Sequence, residues 1–352
     1  MSRADRLVAL LEDRSLDWLL VTNLVNVRYL TGFTGTNGAC LVSPDERLFF
    51  TDFRYVERAR AEVREFERVE GGRDLLGDLA ARLRCRSGFD DAHLSVRAHK
   101  RLAEKAGERV ELVAAGGLVE RLRSQKDEAE VRAMRAATQI ADVVYEEVRE
   151  RGLVGRSERE VARSMVRRME DLGAEGPSFP PIVAAGANGA LPHAEPRDAE
   201  IPAGTLVVID AGARVDGYCS DCTRTFATGP LDDGAVEVYE LVLRAQQEAL
   251  AAARAGAERR EVDGVARRII DAAGHGERFG HGLGHGVGLE IHEDPRLTRV
   301  AEGALNEGNT LTIEPGVYLP GRFGVRIEDL VAITRDGPEV LTAFPKELVT
   351  IE

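Results

Sequence analysis

Four carboxylates sit in apolar, strand-like stretches of this chain, and any fold it adopts has to accommodate them. Residues 205–210 read Thr-Leu-Val-Val-Ile-Asp, a buried strand ending on Asp210. Asp221 follows eleven residues later, inside Tyr-Cys-Ser-Asp-Cys-Thr-Arg-Thr-Phe. Turn-forming residues between them, Gly212, Asp216 and Gly217, predict a hairpin that can bring both carboxylates to one point. Glu314 (Thr-Ile-Glu-Pro-Gly) and Glu328 (Val-Arg-Ile-Glu-Asp) each lie in a further apolar β-type segment. Taken singly, each has an ordinary explanation: a solvated Asp, or a Glu in a salt bridge. Buried together they repel, unless they share a proton or a cation.

The segment that follows Phe279 narrows the choice. It reads Phe-Gly-His-Gly-Leu-Gly-His-Gly-Val-Gly-Leu-Glu-Ile-His-Glu-Asp-Pro and holds three of the chain's seven histidines, His281, His285 and His292, within twelve residues. Histidine is the commonest metal ligand, and the glycines allow close backbone approach. Neither phosphate-loop pattern, G-x-G-x-x-G or G-x-x-x-x-G-K-[ST], occurs here. Four carboxylates balance two divalent cations in charge, with one neutral imidazole completing the set. Such an oxygen-rich donor set suits manganese, cobalt or zinc rather than a soft-ligand metal. Two adjacent cations acidify a water and clamp a scissile carbonyl. The Cys219-Ser-Asp-Cys222 spacing has no second C-x-x-C, and strand alternation sends its two thiols to opposite faces, so both read as packing residues.

At 352 residues the chain has length for about two domains. Residues 1–122 read as one α/β unit: a helix at 4–13, a strand at 18–22, a turn-rich stretch at 26–35, a strand pair at 39–42 and 47–51, and helix over 52–67. Residues 123–352 form the second. A long helix starts near Ser124 as its N-cap and runs to about Arg151. Another begins at Ser157 in a Ser-Glu-Arg-Glu capping box. Helices near 234–255 and 261–273 separate two β-rich regions. The net charge of −13 argues against nucleic acid or an anionic membrane surface as partner. No apolar run approaches the ~20 residues of a membrane span. The N-terminus breaks its apolar residues with charges and reads as an amphipathic helix, not a signal peptide. Four cysteines give no disulfide framework, which makes the cytoplasm the expected compartment.

The order Asp210, Asp221, His285, Glu314, Glu328 resembles the metallopeptidases that include methionine aminopeptidase, aminopeptidase P and prolidase. Residues 24–60, with Thr-Gly-Phe-Thr-Gly and Thr-Asp-Phe-Arg-Tyr, resemble a creatinase-type N-terminal domain. Methionine aminopeptidases lack that domain, so the resemblance points to the proline-specific branch. The full ligand set speaks against a creatinase activity.

The implied fold is α+β: a pita-bread catalytic domain, with helices packed on an antiparallel sheet, behind a smaller α/β domain. The implied enzyme is a metal-dependent Xaa-Pro peptidase with two divalent cations per subunit, manganese foremost, acting on proline-containing di- or oligopeptides as a homodimer. The resemblance makes Asp210, Asp221, His285, Glu314 and Glu328 the ligands and Glu314 the general base. It assigns His292 to the tetrahedral intermediate, His193 to substrate contact, His281 to the proline pocket and Arg326 to an arginine of the proline-specific members. Arg296, just past His292, is a candidate anchor for the proline carboxylate, and Arg299 a weaker one. The insertion some prolidases carry after this histidine is missing, since Ile313 follows His292 by only 21 positions. The leading reading is an Xaa-Pro dipeptidase. Aminopeptidase P is the alternative, and a non-catalytic peptide-binding member of the fold a remote one.

Overall fold

The computed structural model describes residues 1–72 and 74–352. They divide into two compact units, Met1–Arg123 and Ser124–Glu352.

The first unit opens with α1 (Arg3–Asp13), started by a capping box in which the Ser2 hydroxyl accepts from Asp5 N–H and the Asp5 carboxylate accepts from Ser2 N–H. Leu7 and Leu11, four residues apart, form its buried stripe. Then follow β1 (Trp18–Val21), α2 (Leu24–Thr31), β2 (Ala39–Val42), β3 (Arg47–Thr51), α3 (Val56–Glu62), β4 (Glu67–Glu70), α4 (Leu75–Arg82), β5 (Cys85–Phe89), α5 (Val96–Ala106), β6 (Val110–Ala114) and α6 (Leu118–Arg123). The strands form one sheet in the order β4-β3-β2-β1-β5-β6. β1 is buried throughout and pairs antiparallel with β2 and parallel with β5, as suits an unbroken apolar run at the centre of a sheet.

Two expectations for this unit are corrected. The stretch at 26–35 begins as helix α2: Asn23 caps it by accepting from Val25 N–H, and Gly32, at φ 81°, ends it in a left-handed turn. Residues 52–67 are not continuously helical. A 3-10 turn at Phe53–Tyr55 leads into α3, which stops at Glu62 before β4.

The second unit opens with α7 (Glu128–Arg151) and α8 (Glu158–Asp171). The cap of α7 is Asp127, in a reciprocal box with Glu130, and not Ser124. Lys126 N–H donates to Gly308 O at 2.7 Å, which ties the chain down just before the helix can start. Ser157 caps α8 as expected, by accepting from Glu160 N–H, but the Glu160 carboxylate contacts Arg156 Nε at 3.2 Å. Then come β7 (Gly176–Pro177), β8 (Ile182–Ala185), β9 (Leu206–Asp210), β10 (Ala213–Val215), β11 (Tyr218–Cys219), β12 (Thr223–Ala227), α9 (Asp233–Ala252) and α10 (Arg259–Ala272). The chain finishes with β13 (Gly284–Gly286), β14 (Glu293–Leu297), β15 (Thr310–Ile313), β16 (Gly316–Leu319), β17 (Phe323–Arg326), β18 (Asp329–Thr334) and β19 (Gly337–Val340).

Each pair of helices covers its own sheet. Val144, Tyr145, Val161 and Met165 of α7 and α8 pack on Val183, Val207, Ile209 and Phe226 of the sheet β12-β9-β8. Val242, Ala245, Val262 and Ile270 of α9 and α10 pack with Leu311, Ile313 and Val331 of the sheet β14-β13-β15-β18-β19. Each fully buried aliphatic side chain contributes about 1.5–3 kcal/mol. The strand ladders of this unit are antiparallel, giving the expected α+β arrangement of helices on antiparallel sheet.

Tyr145 locks the first sheet to its helices. Its hydroxyl lies 2.6 Å from Cys222 O and 3.1 Å from Ile209 O, the carbonyls flanking the two aspartates. Tyr145→Phe leaves buried acceptors without this donor and is expected to cost about 1–3 kcal/mol in chemical denaturation. A denaturation midpoint unchanged from the parent would show that the hydroxyl does not hold these strands.

Candidate active site

The two aspartates come from one hairpin with a smaller one at its tip. β9 and β12 pair with Thr223 opposite Asp210. Between them β10 and β11 turn through Asp216 (φ 50°) and Gly217 (φ 80°), the two consecutive positive-φ residues of a tight hairpin. Asp221 sits where the chain re-enters β12. His285 lies on β13, which approaches β15 so closely that a Cβ at Gly284 would stand 1.9 Å from Thr312 O. Glu314 directly follows β15, its N–H donating to Leu283 O at 2.8 Å, and Glu328 links β17 to β18, its N–H donating to Thr223 O at 3.1 Å. Two separate sheets thus deliver the five residues to one cavity of about 530 Å³, a volume suited to a small ligand. The cavity is also lined by His193, His281, His292, Arg296 and Arg326, so ten of the candidate site residues border one space, while Arg299, the weaker anchor candidate, is not among its lining residues.

Asp221, His285 and Glu328 each place a ligand atom within 4.8 Å of the others, a grouping able to hold a metal ion. His285 Nε2 lies 3.2 Å from Glu314 Oε1 and 3.6 Å from Asp221 Oδ2. Its Nδ1 is 3.0 Å from Gly286 O, which can only accept, so Nδ1 carries the proton. In the neutral ring that turns the Nε2 lone pair toward carboxylate oxygens, an arrangement that calls for a cation between them. Asp210 Oδ1 and Asp221 Oδ1 are buried without a hydrogen-bond partner. Burial pushes the acids of Asp221 and Glu328 well above the usual range, and neighbouring carboxylates add to it: Glu328 and Asp210 on Asp221, Glu314 and Asp210 on Glu328. Asp210 is also raised by burial, against the opposing charge of Arg326. Burial works to raise Glu314 too; a proton on His285 Nε2, by hydrogen bond and charge, would hold it down at about 2, and a cation between the two would take that proton's place. A cluster that would otherwise take up protons, with orphaned oxygens and an aimed imidazole, fits divalent cations.

Hydroxyls orient the carboxylates. Thr223 Oγ1 donates to Glu328 Oε2 at 2.7 Å, and Thr312 Oγ1 to Glu314 Oε1 at 3.0 Å. Arg326 lines the cavity with its guanidinium engaged by protein acceptors: Nη2 on Asp210 Oδ2 at 2.7 Å, Nε on Thr223 Oγ1, Nη1 on Pro192 O and Tyr318 Oη. Counting Arg326, the cluster's own charge is minus three rather than the minus four expected from carboxylates alone. Two dications would then leave one positive charge for an anionic oxygen.

Tyr318 also meets His281 Nε2 at 2.9 Å, while His281 Nδ1 donates to Gly282 O at 2.7 Å. With Nδ1 protonated, Nε2 accepts from the tyrosine, and burial depresses the imidazole pKa. His281 is therefore neutral, with both nitrogens occupied. Thr223, Thr312 and Tyr318 were not singled out in the sequence. Strand alternation, two residues after Asp221, is the one signal that could have found Thr223. His292 packs edge-on against His285, ring centroids 4.4 Å apart, and is pushed down to about 4 by partial burial and by the charges of His285 and Arg296. Cys219 and Cys222 are free and buried in different apolar clusters, as packing residues would be.

The profile of metallopeptidase family M24 matches residues 132–335, and that of the creatinase/prolidase N-terminal domain matches residues 3–125. The chain is 37% identical to an Xaa-Pro dipeptidase of Pyrococcus furiosus over 99% of both chains. It superposes on the Xaa-Pro dipeptidase of Bacillus anthracis with a TM-score of 0.96 at 38% identity, covering 99% of each. With the X-Pro aminopeptidase of Thermotoga maritima the TM-score is 0.91 at 34% identity, covering 99% of this chain and 100% of that one. A carboxylate cluster built for cations, on a pita-bread fold behind a creatinase-type domain, therefore has its family: the chain belongs to the M24 metallopeptidases, as one of their Xaa-Pro peptidases.

Proposed function

We propose that the chain is an Xaa-Pro dipeptidase using two divalent cations held by Asp210, Asp221, His285, Glu314 and Glu328, with manganese the first candidate and cobalt or zinc next. The observation that carries the dipeptidase reading is Arg296. It is exposed, it lines the same cavity as the carboxylate cluster, and its guanidinium makes no hydrogen bond or ion pair with another described residue. A free cation beside the reaction centre suits the carboxylate that a dipeptide presents directly after its proline. The P. furiosus and B. anthracis relatives carry the dipeptidase name. Aminopeptidase P stays as the second reading, because a relative equally well covered is named an X-Pro aminopeptidase. The intact carboxylate cluster speaks against a non-catalytic binder. A homodimer and a cytoplasmic location belong to the same proposal, the latter supported by four free cysteines.

When bound, the cations would supply the Lewis acidity that polarises the scissile carbonyl and acidifies the attacking water. Glu314 takes a proton from that water and delivers it to the leaving proline nitrogen. His292, neutral at pH 7, donates an N–H to the oxygen that gains charge as the carbonyl is attacked. His193 contacts the substrate from the opposite loop. His281 presents a ring with both nitrogens satisfied, a wall for the pyrrolidine ring. Arg326 acts by holding Asp210 and the Pro192 carbonyl in place.

Chelation followed by return of Mn²⁺ should raise the melting temperature, with about 2.7 kcal/mol of stabilisation once free metal exceeds its Kd 100-fold. Asp221→Asn should lose metal content and activity together. A variant with the parent's metal and turnover would sink the ligand assignment. Specificity is read by offering Leu-Pro and Leu-Pro-Pro to the Mn²⁺-loaded enzyme. Cleavage of the dipeptide alone, with KM rising for Arg296→Ala, is expected. Cleavage of the tripeptide would make the enzyme an aminopeptidase P and remove Arg296 as an obligatory anchor.

A further inference from the structure

Glu158 does not line the cavity, yet its side chain is only 1% exposed and five hydrogen bonds converge on its carboxylate. Oε1 accepts from Ala185 N–H at 2.8 Å and from Arg197 Nη2 at 3.1 Å. Oε2 accepts from Asn188 Nδ2 at 2.9 Å, Arg197 N–H at 2.9 Å and Arg197 Nε at 3.1 Å. A carboxylate offers about four lone-pair sites, so this one is saturated. As the first residue of α8 it also sits at the positive end of the helix dipole.

The donors belong to one segment. Ala185 ends β8, Arg197 lies twelve residues on, and between them the chain carries Pro192 and His193 to the cavity. One buried carboxylate therefore ties both ends of the His193 loop to a helix whose other face is in the core. Asn188 tightens the loop internally, its Nδ2 also reaching Glu195 O at 3.2 Å. The far side is pinned separately, where Arg326 Nη1 donates to Pro192 O at 3.1 Å. A fully buried Glu is costly unless hydrogen-bonded, and here each bond serves the geometry of this loop.

We propose that Glu158 is a positioning residue of the peptidase reaction: it clasps the 185–197 segment at both ends and acts on the substrate solely through His193. This rests on the reading of His193 as a substrate contact. None of the five proposed metal ligands lies on the segment, so the clasp can be broken without emptying the site.

The test is a double-mutant cycle with Glu158→Gln and His193→Ala, each variant assayed for kcat/KM on Leu-Pro and for metal content. Glutamine keeps the volume but loses the charge and one acceptor oxygen. Glu158→Gln is expected to keep the parent's metal content and to lose on the order of 10²-fold in kcat/KM, the scale of a misplaced contact. Added to His193→Ala, it should cost no more than about twofold further. Losses that multiply in the double variant, or metal lost along with activity, would overturn the proposal. His193→Ala with the parent's activity would instead show that the reading of His193 is wrong, and the clasp would fall with it. Should Glu158→Gln not fold, Arg197→Ala removes the guanidinium fork from a half-exposed side chain. It should give a smaller loss with the same absence of additivity, and additive losses in that cycle would overturn the proposal equally.

Discussion

Mutual repulsion among Asp210, Asp221, Glu314 and Glu328 is the constraint the catalytic unit is organised around. Enclosed together, with one guanidinium among them, these carboxylates cannot all be ionised without cations. The cavity gives them few alternatives: two threonine hydroxyls, one arginine and one imidazole, while two carboxylate oxygens have no partner. The surrounding protein is correspondingly rigid. β9 and β12 are locked to α7 by Tyr145, and β13 is pressed against β15 at a position only glycine tolerates.

Behind the cavity the same solution recurs. Buried charges on helices and strands hold segments that present site residues. Asp263 and Arg267 of α10 pair at 2.5 Å; Arg267 donates to Phe279 O and His281 O, and Asp263 accepts from Leu283 N–H. Lys126, just before α7, meets Glu293 at 2.5 Å, next to His292. Arg224 of β12 pairs with Asp329 and donates to Glu328 O. Single buried pairs are poor sources of stability compared with apolar packing. Their positions here, beside segments that carry site residues, fit placement of backbone better than stabilisation.

The site's outline was legible because an ionisable residue in an apolar strand has to be accounted for. Asp210, Glu314 and Glu328 stand out against Val, Ile and Leu neighbours, and His281, His285 and His292 against glycines. The supporting groups left no such mark. Thr223, Thr312 and Tyr318 are ordinary strand residues, and only the fold reveals what their hydroxyls touch. Glu158, an acidic residue in a helix's first turn, reads as dipole compensation. Local structure failed where a stronger local rule was at hand: Asn23 and Gly32 bracket a short helix that the β-branched, Gly-rich composition hid, and the Asp127 box outbids Ser124 as cap. Arg326 lines the cavity, but the sequence could not show that the protein itself occupies its guanidinium.

The proposed ligand set is split between two sheets, and this bears on how the chain folds. Asp210 and Glu328 are 118 positions apart, and neither sheet alone carries a complete set of donors. Contacts that far apart in sequence bear a loop-closure cost and form late. Cation affinity is then a property of the assembled unit, absent from either half. A nascent chain that ends before Glu328 lacks one of the five proposed ligands, so the full donor set exists only once the last part of the chain is made.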